Sequence, residues 1–271
     1  MKTLYVSDLD STLLNSNAKL SDFTRDTLNA LTEKGMLFSF ATARSAVTAA
    51  AVTEGFEGTT PIIVYTGTFI SDRKSKEIVV SNTMTAQETK VVKEAVCRFG
   101  LIPIVYALVS GVERFMFDPD IISENVREFI KTREGDSRSK AVSGGFEGAL
   151  QGEIFYFTFM EPKEKLLSVY EFLKDKCNCL FQPDNYTDNW FLEVMPKEAT
   201  KANGALRLKE MTGAQRLVVF GDGYNDMELF KVADEAYAVE NAVDALKEIA
   251  TGVIGNCNDD AVAKWLLENF K

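Results

Sequence analysis

Residues 5–15 read YVSDLDSTLLN, a short apolar run that ends on two aspartates one residue apart. Side chains two residues apart on an extended strand leave on the same side. A strand carried on through this stretch would therefore set Asp8 against Asp10, a repulsion that a divalent cation is expected to offset. The run is the first of five that behave alike. TLYV stops at Asp8, LFSFA at Thr42, IIVY at Thr66 and Gly67, RLVVF at Gly221 and Asp222, and AYAV at Glu240 and Asn241. Helical segments lie between several of them, such as SDFTRDTLNALTEKG, with Ser21 fit to cap and Gly35 fit to stop the helix. This alternation predicts an α/β fold with a Rossmann-like parallel sheet, whose ligands bind beyond the carboxyl ends of the strands.

Residues 83–192 break the rhythm. TAQETKVVKEAVCRFG opens with a capping box, Thr85 and Glu88, and carries the apolar stripe Val92, Ala95, Val96 and Phe99. After it the order reads β-β-α-β-α-β-β, with neighbouring strands close enough to pair antiparallel. The expected organisation is a core from 1–82 plus 193–271 and an inserted α/β cap domain over 83–192. The polar, glycine-rich REGDSRSKAVSGGFEGALQG inside the insert reads as a surface loop or mobile flap.

Composition narrows the chemistry. With 271 residues and a net charge of -10, the chain can bury a sizeable core, and its charge argues against nucleic acid or an anionic membrane as partner. The apolar runs are too short to cross a membrane, where ~18 residues are needed. Four scattered cysteines read as reduced thiols, and the expected location is the cytoplasm. The chain has no histidine. That excludes Ser-His-Asp and Cys-His catalysis and every His-ligated zinc site, leaving carboxylates, Lys, Tyr or Cys to move protons.

The predicted sheet brings Asp8, Asp10, Asp222 and Asp226 toward one crest. Carboxylates without histidine or thiolate suit a hard cation, and Mg²⁺ fits best because it keeps waters that substrate oxygens can replace. Taken singly, each of these aspartates also reads as a turn or helix cap. Lys201 opens a predicted helix, where the dipole disfavours a cation. An anionic site explains it better than helix stability does, a solvated lysine being the competing reading, and its loss is expected not to lower stability. Arg44 reads equally well as a surface residue, and Asn241 as an N-cap.

Together, DLDST at the first strand, FATAR at the second, Lys201 in EATKANGALRLKEM, and GDGYNDMELF followed by AVENA resemble the haloacid dehalogenase superfamily, specifically its Cof-type phosphatases with a large α/β cap. The resemblance implies that Asp8 is a nucleophile forming an aspartyl-phosphate and that Asp10 is the acid for the leaving alcohol, then the base for water. It further implies that Asp8, the Asp10 carbonyl and Asp222 hold Mg²⁺ with Asn225 and Asp226 in support, and that Thr42 and Ala43 contact the phosphoryl group beside Lys201.

Three positions depart from the family pattern. Ser11 and Ala43 stand where glycine is usual, and Thr66 where asparagine is. A side chain at the first two is expected to narrow the pocket or strain the backbone. The expected activity is hydrolysis of a small phosphorylated metabolite, such as a sugar, polyol, flavin-precursor or pyridoxal phosphate. The alternatives are a phosphotransferase or mutase on the same core, and a non-catalytic sensor of phosphorylated ligands. Tyr156, Asp188 and Trp190 are the polar or aromatic residues of the insert considered for specificity.

Overall fold

The computed structural model describes residues 1–183 and 189–271, so Asp188 lies outside the described residues. The chain divides into two compact units, Met1–Ser81 with Ala199–Lys271, and Asn82–Glu198. The second junction falls later than the boundary expected at 192/193. The physical reason is the strand Trp190–Met195, which runs unbroken in the sheet of the second unit.

In the first unit, five strands form one parallel sheet in the order Gly252–Val253, Glu235–Ala238, Arg216–Gly221, Thr3–Ser7, Leu37–Phe40. The central strands are apolar throughout because both faces are covered: Leu4, Val6, Leu217 and Val219 are all fully buried. Ser7 stands in register with both Phe220 and Phe40. From Thr3–Ser7 the chain passes to one side of the sheet and from Arg216–Gly221 to the other. The crevice between these two strands is thus the topological switch point, where open α/β sheets bind ligands.

The run IIVY does not join this sheet as a full strand. Ile62–Val64 touches it through one bridge, Ala41 to Ile63, and otherwise pairs antiparallel in a three-stranded sheet with Phe69–Ser71 and Ile78–Ser81. The helix Asp22–Glu33 begins as expected, the Ser21 hydroxyl accepting the Thr24 amide, and Gly35 follows it at φ 93°.

The second unit is a six-stranded sheet in the order Asn178–Pro183, Trp190–Met195, Glu153–Glu161, Ile104–Val109, Val112–Phe117, Ser139–Ala141. Only the last pair is parallel. The helices Ala86–Phe99 and Lys163–Leu173 supply Val92, Ala95, Leu166 and Val169 to a core with Phe157, Phe159, Leu192 and Val194. The capping box closes in both directions, Thr85 with Glu88. The segment expected as a flap is more ordered than its composition implied. It contains the strand Ser139–Ala141 and the short helix Gly145–Ala149, held by Asp118, whose carboxylate accepts the Gly145 amide at 2.7 Å. Among the described residues, no helix is long and apolar enough to cross a membrane.

Candidate active site

Strand pairing ends at Ser7, and the chain does not continue as a strand through Asp10. Residues Leu9–Leu13 form one wide helical turn, closed by the Leu14 amide on the Leu9 carbonyl at 2.8 Å. Ser11 bends this turn with φ 58°. The two aspartates consequently part company. The expected crowding of Asp8 by Asp10 is corrected: Asp8 points to a buried ammonium, and Asp10 to a guanidinium.

The buried side is built on Lys201. It opens the helix Lys201–Thr212, capped by Thr200, whose hydroxyl accepts the Asn203 amide. Its Nζ lies 2.8 Å from Asp8 Oδ1 and 2.8 Å from Asp226 Oδ1, with the lysine 1% exposed. Burial works against its charge, but Asp226 and Asp8 overcome this and hold the ammonium above the ordinary lysine range. The reading of a solvated lysine is thereby overturned, and the buried ion pairs replace the expectation that its loss leaves stability intact with the opposite one. It neutralises carboxylates that are themselves buried.

Asp226 is fully engaged. Its Oδ2 accepts the amides of Asp222 and Gly223, each at 3.1 Å, which folds the GDGYND loop around it while Oδ1 takes Lys201. Gly221 is required here, since a Cβ would meet the Asp226 carboxylate at 2.7 Å. Asp222 Oδ1 accepts the Thr12 hydroxyl at 2.9 Å. Asn225 sits in the short turn Tyr224–Asp226 of the same loop.

Asp8, Asp222 and Asp226 each offer a carboxylate oxygen within 4.8 Å of the others. Burial raises the Asp8 carboxyl well above its ordinary value against the pull of Lys201, with Asp226 and Asp222 adding to the rise. Asp222 is raised by burial and by Asp226. Three close carboxylates with one ammonium and only oxygen donors fit a hard divalent cation. The Asp10 carboxylate does not join this cluster. It pairs with Arg44 at 2.9 Å and 2.6 Å, so Arg44 is no plain surface residue.

Thr42 is buried, and its Oγ1 accepts the Arg44 amide at 3.1 Å. The Thr42 carbonyl takes the Thr66 amide at 2.9 Å, and the Arg44 carbonyl takes the Tyr65 amide at 3.0 Å. Of the three departures from the family pattern, Ser11 and Thr66 adopt left-handed backbone, at φ 58° and 56°, whereas Ala43 does not. Strain is thus located at Ser11 and Thr66, and the expectation of strain at Ala43 is set aside.

Two residues make contacts that were not anticipated. Thr12 reaches Asp222, a role that a hydroxyl two residues after Asp10 could have signalled. Asn241 is not an N-cap: its Nδ2 donates to the Ser11 carbonyl at 2.8 Å and its Oδ1 accepts the Cys257 amide at 3.0 Å. The helix that follows, Asp244–Ile249, begins after Val243 instead.

A family model described as haloacid dehalogenase-like hydrolase matches residues 5–266. The chain belongs to that family. It is a phosphoric monoester hydrolase with an α/β core into which a second α/β unit is inserted. It is similar to two 5-amino-6-(5-phospho-D-ribitylamino)uracil phosphatases of Bacillus subtilis (strain 168). YitU is 24% identical over 98% of this chain and 97% of its own length, and YwtE is 24% identical over 96% and 95%. Its fold is like that of a haloacid dehalogenase-like hydrolase from Bacteroides thetaiotaomicron, with a TM-score of 0.77, 24% identity and all of both chains covered.

Proposed function

We propose that the protein is a Mg²⁺-dependent phosphatase that hydrolyses a small phosphate ester through an aspartyl-phosphate at Asp8. The observation that carries this reading is the buried triangle of Asp8, Lys201 and Asp226 beside Asp222. Asp8, the Asp10 carbonyl and Asp222 would hold the metal, with Asn225 and Asp226 in support. Bound Mg²⁺ supplies positive charge that offsets these carboxylates and the phosphoryl oxygens.

In the first step an Asp8 carboxylate oxygen forms a bond to phosphorus while the ester oxygen leaves with its electron pair. Asp10 gives that oxygen a proton, releasing the alcohol. Lys201, fixed against Asp8 Oδ1, offsets charge on the transferring group, and Thr42 donates its hydroxyl to a phosphoryl oxygen. Ala43, next in the chain, would contact the same phosphoryl group. In the second step Asp10 takes a proton from water as the water oxygen bonds to phosphorus. The Asp8 acyl–phosphate bond then breaks, returning the carboxylate and inorganic phosphate.

Similarity to YitU and YwtE along nearly the whole chain supports a substrate class of phosphorylated polyols and their nitrogenous conjugates. The decisive experiment is hydrolysis of p-nitrophenyl phosphate and a panel of phosphorylated metabolites by purified protein with and without Mg²⁺. Phosphate release that depends on Mg²⁺ and on Asp8 supports the reading; phosphate binding without release would replace it by a sensor.

A further inference from the structure

The loop that follows the strand Glu235–Ala238 is tied to both halves of the aspartate site. Its backbone holds one half: the Val239 amide donates to the Gly221 carbonyl at 3.2 Å and the Val243 amide to the Asp222 carbonyl at 2.9 Å. Its Asn241 side chain holds the other, Nδ2 donating to the Ser11 carbonyl at 2.8 Å across 230 positions of sequence. Asn241 Oδ1 accepts the amide of Cys257 at 3.0 Å. Turning the side-chain amide over would set N–H against N–H and oxygen against oxygen, so both neighbours fix its orientation. All of these residues belong to the unit Met1–Ser81 with Ala199–Lys271.

The bond falls where the backbone needs it. Ser11 has φ 58°, a left-handed conformation that costs serine energy and glycine little. Before it stands the Asp10 carbonyl, and after it Thr12, whose hydroxyl reaches Asp222. Relaxation of Ser11 toward right-handed backbone would swing the peptides on either side, moving the Asp10 carbonyl and the Thr12 hydroxyl together. Asn241 is exposed, so it adds little to the core. What it supplies is one donor at one place.

We infer that Asn241 is a positioning residue: by fastening the Ser11 carbonyl to loop 239–243, it sets how far Asp8 and the Asp10 carbonyl stand from Asp222 and so readies these oxygens for the divalent cation. The inference rests on the phosphatase reading and deepens it, adding a residue that itself ligates nothing and reacts with nothing. It also gives the left-handed serine a support from outside its own turn.

The test compares wild type with Asn241→Asp, Asn241→Ala and Ser11→Gly, and with each Asn241 variant combined with Ser11→Gly. Mg²⁺ binding is read from the rise in melting temperature, and turnover from p-nitrophenyl phosphate. Asn241→Asp keeps the size and the acceptor for Cys257 but loses the donor, which isolates the bond to Ser11. In both Asn241 variants the Mg²⁺ concentration giving half the thermal shift should rise about 3- to 10-fold, the scale of one hydrogen bond. Turnover at limiting Mg²⁺ should fall by the same factor and recover as Mg²⁺ saturates. Combined with Ser11→Gly, the same changes should raise that concentration less than about 2-fold, because glycine holds the left-handed turn unaided. A lowered melting temperature with an unmoved Mg²⁺ midpoint would make Asn241 merely structural and overturn the inference, as would equal shifts with and without Ser11→Gly. Wild type reports on the phosphatase reading separately. Absence of its turnover or of its Mg²⁺ shift would overturn both, whereas an active wild type matched by every variant would overturn the inference alone.

Discussion

Asp10 gives both carboxylate oxygens to Arg44, Oδ2 to Nε at 2.9 Å and Oδ1 to Nη2 at 2.6 Å. Asp8, two residues earlier, is bound to Lys201 instead. One turn of backbone therefore delivers two carboxylates to two cations, which separates the proposed nucleophile from the proposed acid. To serve the leaving oxygen, Asp10 must exchange one of its contacts with Arg44.

Asp10→Asn should therefore slow alkyl phosphates at least ~10-fold more than p-nitrophenyl phosphate, since a phenolate leaves without a proton. Steady-state rates on a series of leaving groups check this. A uniform loss would give Asp10 an orienting role only.

Asp8→Asn should leave the circular dichroism spectrum unchanged and lower turnover by ~10³-fold or more, because an amide cannot form the acyl–phosphate bond. A trapped phosphoenzyme in wild type, absent from the variant by mass spectrometry, is the accompanying readout.

Lys201→Ala should cost activity and stability together. Loss of one preorganised charge contact lowers kcat/KM by about 10²-fold or more. Removing one partner from a buried ion pair costs about 3 kcal/mol or more, because Asp8 and Asp226 are left uncompensated. Denaturant melts of the metal-free proteins measure the second quantity. A variant as stable as wild type would mean that the two carboxylates take up protons instead.

Chelation should abolish turnover and Mg²⁺ should restore it, with Ca²⁺ a poor substitute because its coordination is larger and looser. Independently of activity, Mg²⁺ should raise the melting temperature, since it binds the folded cluster of Asp8, Asp222 and Asp226 and not the unfolded chain. No thermal shift up to millimolar Mg²⁺ would remove the metal from the proposal.

Burial pushes the Glu193 carboxyl up to about 7, against the hydrogen bond from Tyr156. The folded protein thus holds a proton that the unfolded chain has already released. The stability this confers is complete below the ordinary glutamate range and is lost as pH rises toward about 7. Stability of Glu193→Gln should accordingly fall less than that of wild type between about pH 5 and pH 8. Parallel pH curves for the two proteins would contradict the shift.

The parallel core was legible because its strands are apolar runs with polar stops, and the capping box at Thr85 is a local signal that needs no tertiary knowledge. The misread elements depended on distant partners. Ser139–Ala141 is a strand because Val112–Phe117 offers it an edge, and nothing in SKA itself says so. The same holds at the site. Asp8, Asp222, Asp226 and Lys201 could be picked out by residue type, whereas Arg44 gains meaning from Asp10 and Asn241 from Ser11, far away in the chain. The strain at Ser11 and Thr66, and its absence at Ala43, follow from turn geometry that composition does not encode.

The strand Thr3–Ser7 lies between Leu37–Phe40 and Arg216–Gly221, which sets an order in time. During synthesis Asp8 emerges before the Asn82–Glu198 unit, while Lys201, Asp222 and Asp226 follow only after that whole unit has been made. A nascent chain halted at Glu198 carries the apolar strand Thr3–Ser7 with one edge open and Asp8 without its ammonium. Such an edge is the kind of surface that chaperones cover and aggregation exploits. Catalytic competence and protection of the central strand are therefore acquired in one event, when the segment after Glu198 closes the sheet.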